Sequence, residues 1–184
     1  MKDLISKLLR ELGEDPKRDG LRETPERVSE LLKELTQGYQ LDPKEIVGDS
    51  IFSVEYDSMV VVKEIEYYSL CEHHLVPFFG HVHVGYIPAG KVIGAGTIPR
   101  VVDLFAKRLQ IQERLTEEIA TFLEEVIKPL GVGVVIEGLH LCMAMRGAGT
   151  RDARMVTSAM KGIFRKDART RAEFLQLIGS RDAV

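Results

Sequence analysis

Two stretches with the period of a β-strand, MVVVKEIEYYSL (59–70) and FFGHVHVGYIP (78–88), lie on either side of the segment CEHHLVP (71–77). Side chains alternate between faces along a strand, so Val82, Val84 and Tyr86 share one face while His81, His83 and Ile87 share the other. β-branched and aromatic residues at this spacing predict two neighbouring antiparallel strands. Their connection must then carry a cysteine, a glutamate and two adjacent histidines. The polar face of the second strand places His81 and His83 toward solvent.

The rest of the chain falls around this hairpin. Leu4, Ile5, Leu8, Leu9 and Leu12 have helical spacing, and Gly13 follows as a stop. Thr24-Pro25 reads as an N-cap with proline at the first helical position, opening a helix with Val28, Leu31, Leu32 and Leu35 on one stripe. A helical pair is predicted over 99–109 and 112–128, ended by Pro129 and Gly131. GVGVVIEGLHLCMAM (131–145) returns to strand character, with RMVTSAMKGIF (154–164) as its partner, and Ala168 to Ile178 forms a last helix. Hairpins separated by a helical pair predict an α+β domain with an antiparallel four-stranded sheet and the helical pair on one face. Residues 1–50 form an N-terminal helical segment and 51–184 the sheet domain. The open edges of such a sheet invite closure by further subunits.

Composition bounds the function. A chain of 184 residues that is 45% hydrophobic and 29% charged suits one compact domain. Its net charge of −3 argues against a general nucleic-acid or membrane-surface binder. The N-terminus mixes charged and apolar residues, unlike a signal peptide, and no window resembles a membrane span. These features predict a cytoplasmic protein. The two cysteines, Cys71 and Cys142, are then either buried small hydrophobes or reactive or metal-binding thiols, rather than a disulfide.

Cys71 and His74 form Cys-x-x-His, a spacing that closes around one ion from a turn, and Cys142 can supply a third ligand. Zinc takes such thiolate and imidazole ligands, using three of them where a position is kept for water. Cys142 lies in His140-Leu141-Cys142. In a strand the two positions share a face, so His140 and Cys142 project together, on the same side as Val134 and Ile136. The plain alternative is a buried cysteine beside a satisfied core histidine.

On SLCEHH (69–74), GYIPAGKVIG (85–94), RLQIQERLT (108–116), GLHLCMAMRG (138–147), VTSAMKGIF (156–164), TRAEFL (170–175) and ETPERV (23–28), the chain resembles GTP cyclohydrolase I. That resemblance implies Zn2+ held by Cys71, His74 and Cys142, with His73 and His140 as catalytic residues. It implies that Gln112 and Glu113 read guanine and that Arg27, Arg100 and Arg146 meet the triphosphate. It also implies hydrolytic opening of GTP at carbon 8, release of formate and formation of 7,8-dihydroneopterin triphosphate, the first step of tetrahydrofolate and pterin biosynthesis. The fold implied is the tunnelling fold, in which hairpins of several subunits close a barrel, assembled as a homodecamer with sites at subunit interfaces. Glu113 has a physical case as well, since a carboxylate can accept from both N1–H and N2–H of guanine. Glu72 is left as a bystander or a support for the ligands.

The chain departs from that pattern at the phosphate end. Gly96-Thr97 stands where the family usually has Ser-Lys, Glu30 where several relatives carry lysine, and Ala153 and Met155 where Ser and Thr are common. A lost cation–phosphate contact opens the alternative of a less phosphorylated purine nucleotide as substrate, unless cations such as Arg151 or Lys161 compensate. A non-catalytic zinc-stapled oligomer that binds a purine or pterin is the further alternative, although it needs neither His73 nor His140.

Overall fold

The computed structural model describes residues 1–146 and 152–179. It opens with α1 (Lys2–Glu11), α2 (Thr24–Leu35) and the short α3 (Pro43–Val47). Helix α2 begins at Thr24 rather than after it: Glu23 occupies the cap position, without a side-chain hydrogen bond. Asp42 does cap α3, its carboxylate accepting from the Lys44 amide. Next come β1 (Ile51–Ser53), β2 (Val60–Cys71), β3 (Pro77–Ile87) and β4 (Lys91–Ile93). The helical pair is α4 (Thr97–Ala106) and α5 (Gln112–Ile127), with the two-residue β5 (Leu109–Gln110) between them. The chain continues through β6 (Gly131–His140), α6 (Leu141–Ala144), β7 (Met155–Met160), α7 (Ile163–Lys166) and α8 (Ala168–Gly179).

The α+β expectation holds, with two corrections to the sheet. It has five strands rather than four, in the order β5-β2-β3-β6-β7. The extra strand, β5, runs parallel to the end of β2 and pairs Leu109 with Leu70 and Gln110 with Cys71. It is too short to leave a periodic signature in sequence. A separate small ribbon joins β1 to β4.

The second correction concerns the faces. Helices α4 and α5 cover one face, burying Val82, Val84, Tyr86, Val134 and Ile136 against Ile98, Val102, Leu115, Ile119 and Leu123. The opposite face is covered in part by α7 and α8, whose Phe164 and Phe174 are fully buried with Val135. Gly85 and Gly133 face each other in register. A Cβ there would come 2.6 Å from a Phe174 ring carbon and 2.7 Å from a Phe164 ring carbon, so bare backbone admits the two rings.

His83, on this second face, is buried, 8% exposed, against the expectation of a solvated residue. A register shift between Val62 and Ile65 places one extra residue of β2 opposite β3. The bulge holds Glu64 at φ 59°, and the amide it frees donates to His83 Nδ1 at 3.2 Å. Burial pushes the His83 pKa down, against the opposing pull of Glu64 and Glu137; His81 and Lys63 add to the lowering. The unfolded chain takes up a proton at His83 near the ordinary histidine value, and the folded chain only at lower pH. This contribution to stability is thus complete above that ordinary value and is lost as pH falls through the window below it. His83→Asn keeps an acceptor for the Glu64 amide and removes the titration. The expected result is a shallower fall of Tm between neutral and mildly acidic pH, read by thermal melts across that range.

Candidate metal centre

Strand β2 ends at Cys71, and the chain reverses within residues 72–76 to enter β3. The Cys71 amide donates to the Val76 carbonyl, while the His74 and Leu75 amides both donate to the Cys71 carbonyl. Leu75 takes a left-handed conformation, φ 53°, to close this turn. The result folds His74 back over Cys71, with Nδ1 3.7 Å from Sγ.

The third member arrives from β6. Phe78, next after Pro77 at the start of β3, pairs in register with His140, the last residue of β6. The chain then turns into α6, so Cys142 lies in a helical turn and not in a strand. The expected same-face projection of His140 and Cys142 is corrected accordingly. The helical turn instead swings the Cys142 sulfur to 3.9 Å from the Cys71 sulfur. The ligand atoms of Cys71, His74 and Cys142 all lie within 4.8 Å of one another.

These separations suit a tetrahedral ion. Zinc bonds of about 2.3 Å to sulfur and 2.0–2.1 Å to nitrogen give edges of about 3.8 Å between two thiolates and about 3.6 Å from thiolate to imidazole. The donor set fits zinc in type and spacing, and it leaves one tetrahedral position for another ligand. Cys71 is buried, Cys142 is half-buried and His74 is exposed, so the group opens to one side. Burial pushes the Cys142 thiol up, with a further rise from the Cys71 contact and an opposing effect from Arg146. A divalent metal held by the group would favour the thiolate form in which cysteine serves as a ligand.

His140 is fixed more tightly than His73 or His74. It is 8% exposed, and its ring stacks on Phe78 at 4.5 Å between centroids. Its Nε2 lies 2.9 Å from Gln112 Oε1. Gln112 is fully buried, and its amide nitrogen donates among the Ile136 carbonyl, the Met155 carbonyl and Thr157 Oγ1 at 3.0–3.1 Å. Two backbone carbonyls can only accept, so the amide orientation is set by the network and Oε1 must face His140 and the Tyr67 hydroxyl. His140 therefore carries its proton on Nε2 when neutral. Gly138 makes the approach possible, because a Cβ there would lie 2.4 Å from both Gln112 Oε1 and the Tyr67 hydroxyl oxygen. Burial pushes the His140 pKa down, and the Glu113 carboxylate opposes it.

The other residues assigned by resemblance are spread out. Glu113 is exposed in the first turn of α5, within the electrostatic reach of His140. Gln112, assigned to guanine reading, has its amide committed inside the protein. His73 is exposed on the turn, its Nε2 3.9 Å from Glu72 Oε1. Arg146 is exposed after α6, near enough to influence Cys142. Arg100 is exposed on α4 and lines a hollow with Leu41, Glu66, Asp103 and Lys107. Arg27 is paired with Glu23 on α2, which packs against α1 in the N-terminal layer. Thr97 is buried at the start of α4, and Lys161 is paired with Glu117; Gly147 and Arg151 lie outside the described residues. Sequence reasoning missed the anchoring by Gln112, Tyr67 and Thr157, for which Gly138 beside the strand end is the one local sign.

The family model described as GTP cyclohydrolase I matches residues 1–179. The chain is 52% identical over 180 residues to the protein of Chlorobaculum tepidum called GTP cyclohydrolase 1, covering 98% of this chain and 80% of that one. It is 53% identical over 176 residues to that of Campylobacter concisus, covering 96% and 93%. It is 50% identical over 175 residues to that of Rattus norvegicus, covering 95% and 73%.

Replacing Gln112 by Leu keeps much of the volume but leaves the Ile136 and Met155 carbonyls and the His140 ring without their partner. A loss of about 1–3 kcal/mol is expected for such stranded buried groups. Denaturant unfolding should show it, together with a fall in kcat that exceeds any rise in KM.

Proposed function

The chain belongs to the GTP cyclohydrolase I family, and from that premise we propose how its residues carry the reaction. It is a hydrolase that opens the guanine ring of GTP in pterin biosynthesis. Attack at carbon 8 of guanine, loss of that carbon as formate and closure to 7,8-dihydroneopterin triphosphate is the course that this activity takes here. The observation that carries the reading is the convergence of Cys71, His74 and Cys142 beside the anchored His140.

Cys71, His74 and Cys142 would hold Zn2+, which would supply a Lewis acid that brings the pKa of water toward neutrality. The chain's own residues do the rest. Burial keeps His140 neutral near pH 7, so it takes a proton before it returns one to a ring nitrogen. Its Nε2–H is tied to Gln112, which leaves Nδ1 as the exchanging atom. His73, exposed on the same turn as His74, is the second proton carrier. Glu113 receives the N1–H and N2–H of guanine next to His140, and Gln112 acts on that end of the site through His140. Arg146 meets phosphate beside the metal group.

The remaining cations, Arg27 and Arg100, belong to the helical layer, and this supports a site completed between subunits. The sheet supports the same view. Among the described residues β7 is an outer strand, and two-residue β5 leaves most of the other edge of twelve-residue β2 without a strand partner. Such edges suit the tunnelling-fold barrel and a homodecamer, with the 51–184 domain forming the barrel and the 1–50 helical segment outside it. Among the described residues no helix is long and apolar enough to cross a membrane, and we place the enzyme in the cytoplasm.

Purified protein loaded with zinc and given GTP should release formate and yield a pterin that fluoresces after oxidation. Intact GTP would sink the reading. His140→Ala should keep its zinc and lose turnover by about 10²–10⁴-fold. Cys71→Ser should lose the zinc itself. With Thr97 buried where the family usually carries lysine, rates on GTP, GDP, GMP and guanosine test the phosphate end, and GTP is expected to be preferred.

A further inference from the structure

The turn that carries Cys71, His73 and His74 is exposed from residue 72 to residue 75. A metal half-site on such a segment needs something to hold it still. Backbone pairing supplies part of this, since the Glu72 amide donates to the Gln110 carbonyl of β5. The side chain of Arg114, on the first turns of α5, supplies a second tie. Its Nη2 donates to Glu72 Oε2 at 2.5 Å and to the Leu109 carbonyl at 2.7 Å. Its Nε donates to Gln110 Oε1 at 2.9 Å. One planar guanidinium thus holds the carboxylate of the metal turn and both residues of the strand that flanks Cys71.

The clamp is itself braced. The Gln110 amide nitrogen donates to the Phe105 carbonyl at 3.0 Å and to Glu118 Oε2 at 2.8 Å, and Gln110 is 1% exposed. The orientation of its amide is fixed by the Phe105 carbonyl, so Oε1 must face Arg114. From the other side, the Tyr39 hydroxyl accepts from the Leu109 amide at 3.1 Å. Arg114 therefore stands on a rigid platform formed by α5, β5 and the end of α4, and only its link to Glu72 reaches out to the turn.

We propose that Arg114 is a positioning residue for the metal turn, acting through Glu72 to hold Cys71 and His74 at ligand spacing and His73 in place beside them. The proposal rests on the reading of Cys71, His74 and Cys142 as the zinc ligands. Neither Arg114 nor Glu72 touches the metal or the substrate in this role. A lysine at 114 cannot serve all three acceptors with one ammonium in the geometry of the guanidinium fork.

The test uses the full chain. Zinc affinity is measured by competition with a chromophoric chelator, and kcat and KM are measured with GTP. Wild type, Glu72→Gln, Arg114→Met, Arg114→Lys and the double variant E72Q/R114M are compared, with Glu117→Gln as a control on the same helix. Glu72 is on an exposed turn, so E72Q reports even if R114M folds poorly. E72Q and R114M should each bind zinc about 10- to 100-fold more weakly, the range seen when a group orienting a ligand is removed, and E117Q should bind it as wild type does. R114K should recover part of the loss. The double variant should be no weaker than the worse single, because both break one link, and kcat should fall more than KM rises.

Unchanged zinc affinity in E72Q and R114M overturns the proposal, whatever happens to thermal stability. Additive losses in the double variant overturn the link between the two residues. A wild-type chain that binds no zinc, or that keeps it in C71S/C142S, overturns the metal reading and this proposal with it. A zinc-binding wild type with unaltered variants overturns this proposal alone.

Discussion

The register of β3 between β2 and β6 is the constraint on which the site depends. Leu70 pairs with Pro77 on one side of the central strand, and Phe78 pairs with His140 on the other. Those two pairings bring the reversal after Cys71 and the end of β6 to the same end of the sheet. Side chains have period two along a strand, so a slip of one residue would turn His140 away from Gln112 and carry Val134 and Ile136 out of the core. The apolar face covered by α4 and α5 therefore enforces the same alignment that the site requires. Core packing and site geometry are not separable here: the hydrophobic pattern fixes the register, and the register fixes where the ligands meet.

Within that frame the site divides into parts of different rigidity. His140 is held by ring stacking, by burial and by an amide whose orientation is set by two backbone carbonyls. A buried polar network of this kind is stable only when each member is satisfied, and the side-chain amide of Gln112 is spent on partners from β2, β6 and β7. His73 and His74 belong instead to an exposed turn that depends on its backbone bonds and on the Arg114 contact. The rigid half fits a group that must present one nitrogen to a reacting atom. The exposed half fits ligands that a metal can draw into final position and that must leave a path for a nucleotide.

Much of this was legible in the sequence, and the residues that were not have physical reasons. The alternation in 59–70 and 78–88 gave both long strands, because each buries one face against a continuous core. The Cys-x-x-His spacing and the distant Cys142 pointed to the cluster that the fold assembles. Strand β5 was invisible because two residues carry no period. His83 read as solvated because its partner is the amide freed by a bulge in β2, and a bulge nineteen positions earlier leaves no mark on the alternation of 78–88. Cys142 read as a strand residue because nothing in HLCMAM marks the change to helix at Leu141. Gln112 and Arg114 carried no signal of their roles, since hydrogen-bond partners on other elements leave no trace in local periodicity.

Resemblance assigns Gln112 to guanine, and the residue next to it, Glu113, remains exposed toward His140. The structure gives Gln112 a different task in the same place: it fixes which nitrogen of His140 bears the proton. A neutral histidine held with Nε2–H can take up a proton only at Nδ1, so the contact with Gln112 decides which ring atom is open to protonation. If the amide were free to rotate toward a ligand, the Ile136 and Met155 carbonyls would lose a donor inside the protein, at a cost of about 1–3 kcal/mol. That penalty holds Gln112 in place. Glu113, one residue further along the same helix, is exposed and within electrostatic reach of His140, which is why the proposed reading gives the guanine edge to its carboxylate rather than to the Gln112 amide.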